Sequence, residues 1–349
     1  MTTPNPRNAF PAARLLLFTC IVGASGCERS LLPAGAEMEL TLQGFTAVDP
    51  SAVGAFEVWV HPAVGEPVSV GRLTDLPDTP GPESIFSFAL PMADPVGLSV
   101  TLEPPGDDNR EPSPYALLAG EFTGDRAALT VNGQVTGGEP LEPEPGAHSL
   151  FTTSNNVRLG YPSFENSGIW MFSMRALLNK HGTREVRLTG LQPTWLYEGW
   201  IVRDYGTPDE LWISFGKYRP DAFGLLTSRD DTGSGPFSGD EDYLNAGVED
   251  VPGDEYTTAV VADQLGFHIP GDLEMPLLLD AVDPETGEAV WTHVITIEPA
   301  FDEDEPMYSG HPFILRPYRN PVGAGDPSEP RVIEFFPDEV VRADAGPAR

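Results

Sequence analysis

A five-residue pattern occurs twice in this chain. Phe56-Glu57-Val58-Trp59-Val60 and Tyr197-Glu198-Gly199-Trp200-Ile201 both read aromatic, glutamate, any residue, tryptophan, β-branched residue. The residues after each copy agree too: Ser69-Val70-Gly71-Arg72 after the first, Ser214-Phe215-Gly216-Lys217 after the second. Alternation sets Phe56, Val58 and Val60 on one face and Glu57 and Trp59 on the other, the period-2 signature of a strand. A strand ending in Glu-Pro closes each copy, Val100-Thr101-Leu102-Glu103-Pro104 and Ile295-Thr296-Ile297-Glu298-Pro299. With the entry strands at 37–42 and 185–189, the landmarks fall in the same order twice. Two copies are too few for a solenoid or propeller.

The expected fold is therefore all-β: two tandem antiparallel β-sandwich domains related by internal duplication. Composition agrees. The 37 Pro and 36 Gly make up about a fifth of 349 residues. Pro breaks helices and Gly weakens them, yet the total stays below the roughly 25–30% of low-complexity chains. The first domain is expected over 37–135 and the second over 148–320, joined by a Pro/Glu-rich, extended linker at 136–147. The second carries an insertion at 219–292. Within it, Asp283-Pro284-Glu285-Thr286-Gly287 has Pro and Gly where a turn needs them. Gly168–Phe172 and the segment from Leu150 are further strand candidates, and Met174–Lys180 is a short-helix candidate. Residues 321–349 read as a Pro/Gly-rich acidic tail with one strand candidate at Val332–Phe336.

The N-terminus carries the clearest address. Arg7 and Arg14 make a basic region, Leu15-Leu16-Leu17-Phe18-Thr19-Cys20-Ile21-Val22 an apolar one, and Ala24-Ser25-Gly26 supplies small residues before Cys27. The apolar run is too short for a span of roughly 20 residues, so residues 1–26 read as a signal peptide. Small residues before a cysteine resemble a bacterial lipobox, in which a diacylglycerol is placed on the thiol and the chain is cut before it. Cys27 is thus the expected lipid attachment site, and residues 27–36 the tether. Thr19 before Cys20 is too bulky for the same processing. Glu28 is not the aspartate that retains lipoproteins in the inner membrane, so the expected location is the bacterial envelope, at the outer membrane. After processing Cys27 is the last cysteine, and the domains hold no intramolecular disulfide.

The formal charge is −33. So acidic a chain repels phosphate backbones, which disfavours nucleic-acid partners. The expected partners are the membrane, through the lipid on Cys27, and an envelope protein or glycan.

Candidate chemistry is sparse. Glu57 and Glu198 beside Trp59 and Trp200 would suit sugar binding, or hold backbone donors while the indoles pack. Glycoside hydrolysis needs two carboxyls about 5–10 Å apart, whereas these acids lie in different expected domains. A hydrolase acting on glycan or peptide would need Glu198, Asp230 or Asp240 to meet a second carboxyl or a histidine in a cleft. Asp107-Asp108, Asp230-Asp231, Asp240-Glu241-Asp242 and Asp302-Glu303-Asp304-Glu305 are oxygen-rich, as calcium requires, but none has EF-hand spacing. The histidines (61, 148, 181, 268, 293, 311) show no His-x-x-x-His, no phosphate-cradling Gly-Lys-Ser/Thr loop occurs, and no Gly-x-Ser-x-Gly elbow is present. No catalytic, metal or cofactor residue is assigned.

The two Glu-x-Trp strands, the Ser-x-Gly returns and the Glu-Pro strands followed by acidic loops together resemble the extracytoplasmic β-sandwich domain of anti-sigma-K-type anti-sigma factors. The resemblance touches most of 37–135 and 148–318. It implies a β-sandwich outside the cytoplasm, with a sensory or regulatory role as one alternative. The helical sigma-binding region and transmembrane helix of that family have no counterpart here, so sigma-factor control is not implied. The expected function is binding or scaffolding.

Overall fold

The computed structural model describes residues 32–51, 53–79, 83–107, 110–151, 168–170, 186–220, 278–300, 312–325 and 330–348. The signal region with Cys27, the helix candidate at 174–180 and the acidic runs at 228–242 and 302–305 lie outside them. So do Asp108, His181, His268 and His311.

Among the described residues the chain is all-β, with no α-helix and with large antiparallel sheets. The strands are β1 (Glu37–Gln43), β2 (Ala55–His61), β3 (Val68–Arg72), β4 (Ser84–Ala89), β5 (Gly97–Glu103), β6 (Ala116–Thr123), β7 (Arg126–Leu129), β8 (Ala147–Phe151) and β9 (Gly168–Trp170). Then come β10 (Trp195–Arg203), β11 (Leu211–Tyr218), β12 (Trp291–Pro299), β13 (Leu315–Pro321), β14 (Arg331–Val332), β15 (Glu334–Phe335) and β16 (Arg342–Pro347).

An eight-stranded sheet runs β3-β2-β5-β6-β7-β16-β1-β4, a five-stranded sheet β11-β10-β12-β13-β15, and a small sheet β14-β8-β9. The eight-stranded sheet is nearly closed. Its end strands β3 and β4 approach at Gly71, where an added Cβ would lie 3.2 Å from the Phe86 ring.

Two four-strand runs inside these sheets share one layout, β3-β2-β5-β6 and β11-β10-β12-β13. In each, the tryptophan strand is central and its hairpin return is bulged just before the tryptophan, between Val58 and Trp59 and between Gly199 and Trp200. The partners match: Glu57↔Arg72 and Val58↔Gly71 in one, Glu198↔Lys217 and Gly199↔Gly216 in the other. Gly71 at φ 134° is a conformation that residues with a Cβ avoid. The Ser-x-Gly return thus has a backbone reason, because the bulge needs the glycine.

The 321–349 stretch holds β14, β15 and β16. β16 inserts between β7 and β1, with Ala343↔Leu129 on one side and Leu42↔Ala343 on the other. Its buried residues, Ala343 and Ala345, alternate with Arg342 and Asp344, the strand period written in small residues. The 136–147 stretch is also partly buried, at Thr136, Leu141 and Ala147, where β8 begins. Of the expected second entry strand at 185–189, residues 186–189 are described, and there Val186 and Leu188 bury without forming a strand. Backbone groups there are met otherwise: Arg187 N donates to Pro145 O at 2.7 Å and Tyr197 OH to Thr189 O at 2.8 Å.

The apolar faces of both large sheets meet in one continuous core. Phe313 is the joint, its ring 6.0 Å from Phe56 and 5.7 Å from Trp195. Tyr115 OH also donates to Ala300 O at 3.1 Å. The insertion's turn forms as expected, with Asp283 Oδ1 accepting from the backbone N–H of Glu285 and Thr286 at 2.7 and 2.8 Å.

Candidate functional site

The side chains on the face of β2 and β5 opposite the core form a polar ladder. Period 2 puts Ser99, Thr101 and Glu103 there, and pairing sets Trp59 opposite Ser99. Thr101 is then the diagonal neighbour of Trp59, within reach of a long side chain. Trp59 Nε1–H donates to Thr101 Oγ1 at 2.8 Å, and the threonine hydroxyl donates in turn to the Glu103 carboxylate. Ser113 N donates to the same carboxylate at 3.2 Å, and Ser113 Oγ to Leu102 O at 2.7 Å.

The second run repeats this. Trp200 Nε1 donates to Thr296 Oγ1 at 2.9 Å, Thr296 Oγ1 to Glu298 Oε1 at 2.5 Å, and Phe313 N to Glu298 Oε1 at 2.9 Å. Trp, Thr and Glu thus form a buried chain of bonds, each polarising the next. Its end ties the loop leaving one strand to the start of the next. Both tryptophans are buried, at 2% and 1% exposure.

The carboxylates bonded through threonine to the indoles are Glu103 and Glu298, not Glu57 and Glu198. Glu57 accepts from Ser69 Oγ and from Arg72 Nε at 3.1 Å, and Arg72 reaches on to Asp107 O at 3.1 Å. Glu198 is buried. The signal for the true partners was present, since Thr-x-Glu-Pro occurs in both copies and period 2 puts Thr and Glu on one face. Burial raises the Glu103 carboxyl above its ordinary range, with smaller contributions from Glu57 and Asp107, against the lowering bonds from Thr101 and Ser113.

Beyond the relay the runs diverge. Next to Trp59, His61 Nε2 meets Ser99 Oγ at 2.8 Å, and burial lowers the imidazole below its ordinary value. The second run has Val202 and Val294 instead, packed with Trp200 under Tyr205 and Trp212. Trp212 stands edge-on to Trp200 at 5.7 Å and to Tyr205 at 5.7 Å. Arg316 lies over the half-buried Trp212 at 4.7 Å, and Arg319 over Tyr205 at 4.9 Å and Phe336 at 3.6 Å. Glu339 pairs with Arg319 and accepts from Tyr205 OH at 2.9 Å. Rings and guanidinium groups of this kind have the chemistry to stack on sugar faces and to pair with carboxylates.

Among the described residues no three His, Cys, Asp or Glu side chains group as metal ligands, and no helix is long and apolar enough to cross a membrane. Compared with known proteins, the chain matches no family model, no curated protein and no solved structure.

Proposed function

We propose that this is a lipid-anchored protein of the bacterial envelope, held at the outer membrane through Cys27, that works by binding or scaffolding. Its location rests on the residues from Arg7 to Cys27. The binding role rests on one observation: Trp212, Tyr205, Arg316 and Arg319 set rings and guanidinium groups over Trp200, while Glu57, Glu103 and Glu298 brace strands and loops.

The two four-strand runs are read as copies of one ancestral β-sandwich unit. The shared bulge, register and Trp–Thr–Glu relay support duplication, because packing alone does not demand the same three side chains twice. The likeness to anti-sigma-K-type extracytoplasmic domains fits a partner-binding role outside the cytoplasm. The second run, with its stacked rings and arginines, is the proposed contact surface, and Trp212 its centre.

The test is capture from envelope extracts by wild-type and Trp212→Ala protein, with and without chelator. A protein or glycan held by the wild type and released at least about tenfold by the variant supports the reading, a loss of about 2 kcal/mol being usual for a central aromatic. Equal recovery by both, or none by either, overturns it. Dependence on chelator assigns the acidic loops a calcium role.

A further inference from the structure

Two histidines far apart in sequence meet in the interior. His148 on β8 and His293 on β12 are both 1% exposed. Their rings stand edge to face at 4.6 Å and 81°, with Nδ1 3.1 Å from Nδ1. A nitrogen-to-nitrogen bond of that length requires one ring to carry its proton on Nδ1 and the other to present a bare Nδ1. The accepting imidazole is then neutral, and burial disfavours charge on the donor as well.

The pair sits where the small sheet meets the five-stranded one. Period 2 puts His293 on the same face of β12 as Trp291, Ile295 and Ile297, which belong to the main core. Residues 331–335 cross the same boundary, since β14 pairs with β8 while β15 pairs with β13.

The surroundings resist charge. β14 sets Arg331 opposite His148 in register, with its Nε on Val322 O at 3.3 Å. Facing His293 are Ile201 of β10 and Asn320 of β13. β10 also carries Arg203, paired with Asp204 at 3.5 Å. β9 carries no titratable residue, and β8 none besides His148. In a chain with 53 acidic residues and 20 basic ones, the charged group set opposite His148 among the described residues is a guanidinium.

We propose that the His148–His293 pair is an acid-sensitive latch, holding the β14-β8-β9 sheet on the five-stranded sheet and releasing it when the rings take up protons. The first proton enters on a buried Nε2 and faces Arg331. The second leaves two N–H groups pointing at each other, and the bond is gone. Burial first, and then His293 and Arg331, hold His148 well below the ordinary imidazole value, and burial brings His293 to about 3. With folded values depressed, the closed form keeps its full advantage above about 6.5. It loses that advantage as pH falls toward about 3, by up to about tenfold per pH unit for each ring.

The test is amide hydrogen exchange of the full chain from pH 7 to pH 4, corrected for intrinsic rates, with histidine-ring NMR at the same pH values. Protection at 147–151 and 331–335 is expected to fall at least about tenfold by pH 5, while 97–103 in β5 holds. Two imidazoles are expected to gain protons together with that opening. A doubly substituted His148→Gln, His293→Gln chain is expected to exchange at 147–151 independently of pH. Wild-type protection at 147–151 that tracks 97–103 throughout overturns the latch, as does opening without uptake by these two rings. If the double variant does not fold, the wild-type series alone decides.

Discussion

At the scale of single residues, the threonine in the middle of each relay matters more than its size suggests. Thr101 and Thr296 each accept from an indole N–H and donate to a carboxylate. Valine keeps the shape but leaves the buried indole N–H without its acceptor, at a cost of about 1–3 kcal/mol, and takes one hydrogen bond from a carboxylate that keeps its backbone donor. Thr296→Val is expected to lower unfolding free energy by about 1–3 kcal/mol in urea titration, since the orphaned indole N–H stays buried. Thr101→Val should cost a similar amount, because its geometry is the same. A loss under about 0.5 kcal/mol at both positions contradicts the relay as a stabilising unit. The relay was half legible from sequence. Trp, Glu-Pro and their duplication stood out, but the acid two residues from tryptophan drew attention from the acid across the ladder. Proximity in sequence is a poor guide on a sheet, where the diagonal neighbour lies on another strand.

At the scale of elements, close approach explains why particular glycines punctuate the strands. Gly54 stands just before β2 at φ 105°, and a Cβ there would lie 1.9 Å from the Glu103 carbonyl oxygen. The end of β5 therefore abuts the start of β2 with no room for a side chain. Gly106, at φ 77° in the loop after β5, would meet nothing within 4 Å. Gly106→Ala should cost only the left-handed strain of about 1–2 kcal/mol. Gly54→Ala should cost about 1–3 kcal/mol more, through overpacking. Equal midpoints for the two variants in thermal melts would contradict the packing described for the relay's end. Strand positions were legible wherever large apolar residues alternate, as in β2, β5, β10 and β12. β16 escaped notice because its inward residues are alanines between charges and its end is Gly-Pro, a composition that reads as tail. Only the neighbouring strands β1 and β7 supply the bulk that makes it a strand.

At the scale of the whole molecule, sequence copies and structural sheets do not divide the chain alike. The four-strand runs repeat, yet the last strand completes the sheet that the first strand opens, and one core joins both runs through Phe313. Pairing between residues some 300 positions apart is a non-local contact that sequence periodicity does not encode. The chain emerges as a β-body whose acids brace its strands and whose ring-and-arginine surface lies over Trp200, and for which we propose a membrane anchor at Cys27. That last feature decides whether the envelope is the right place to look for a partner. It is tested by fractionating cells that produce the wild type or Cys27→Ala and measuring the intact mass of the recovered protein. The account predicts wild-type protein in the membrane fraction, starting at Cys27 and heavier than residues 27–349 by a diacylglycerol and its acyl chains, with that added mass missing from Cys27→Ala. Wild-type protein with an unmodified Cys27 thiol, or equal lipid on both proteins, would contradict it.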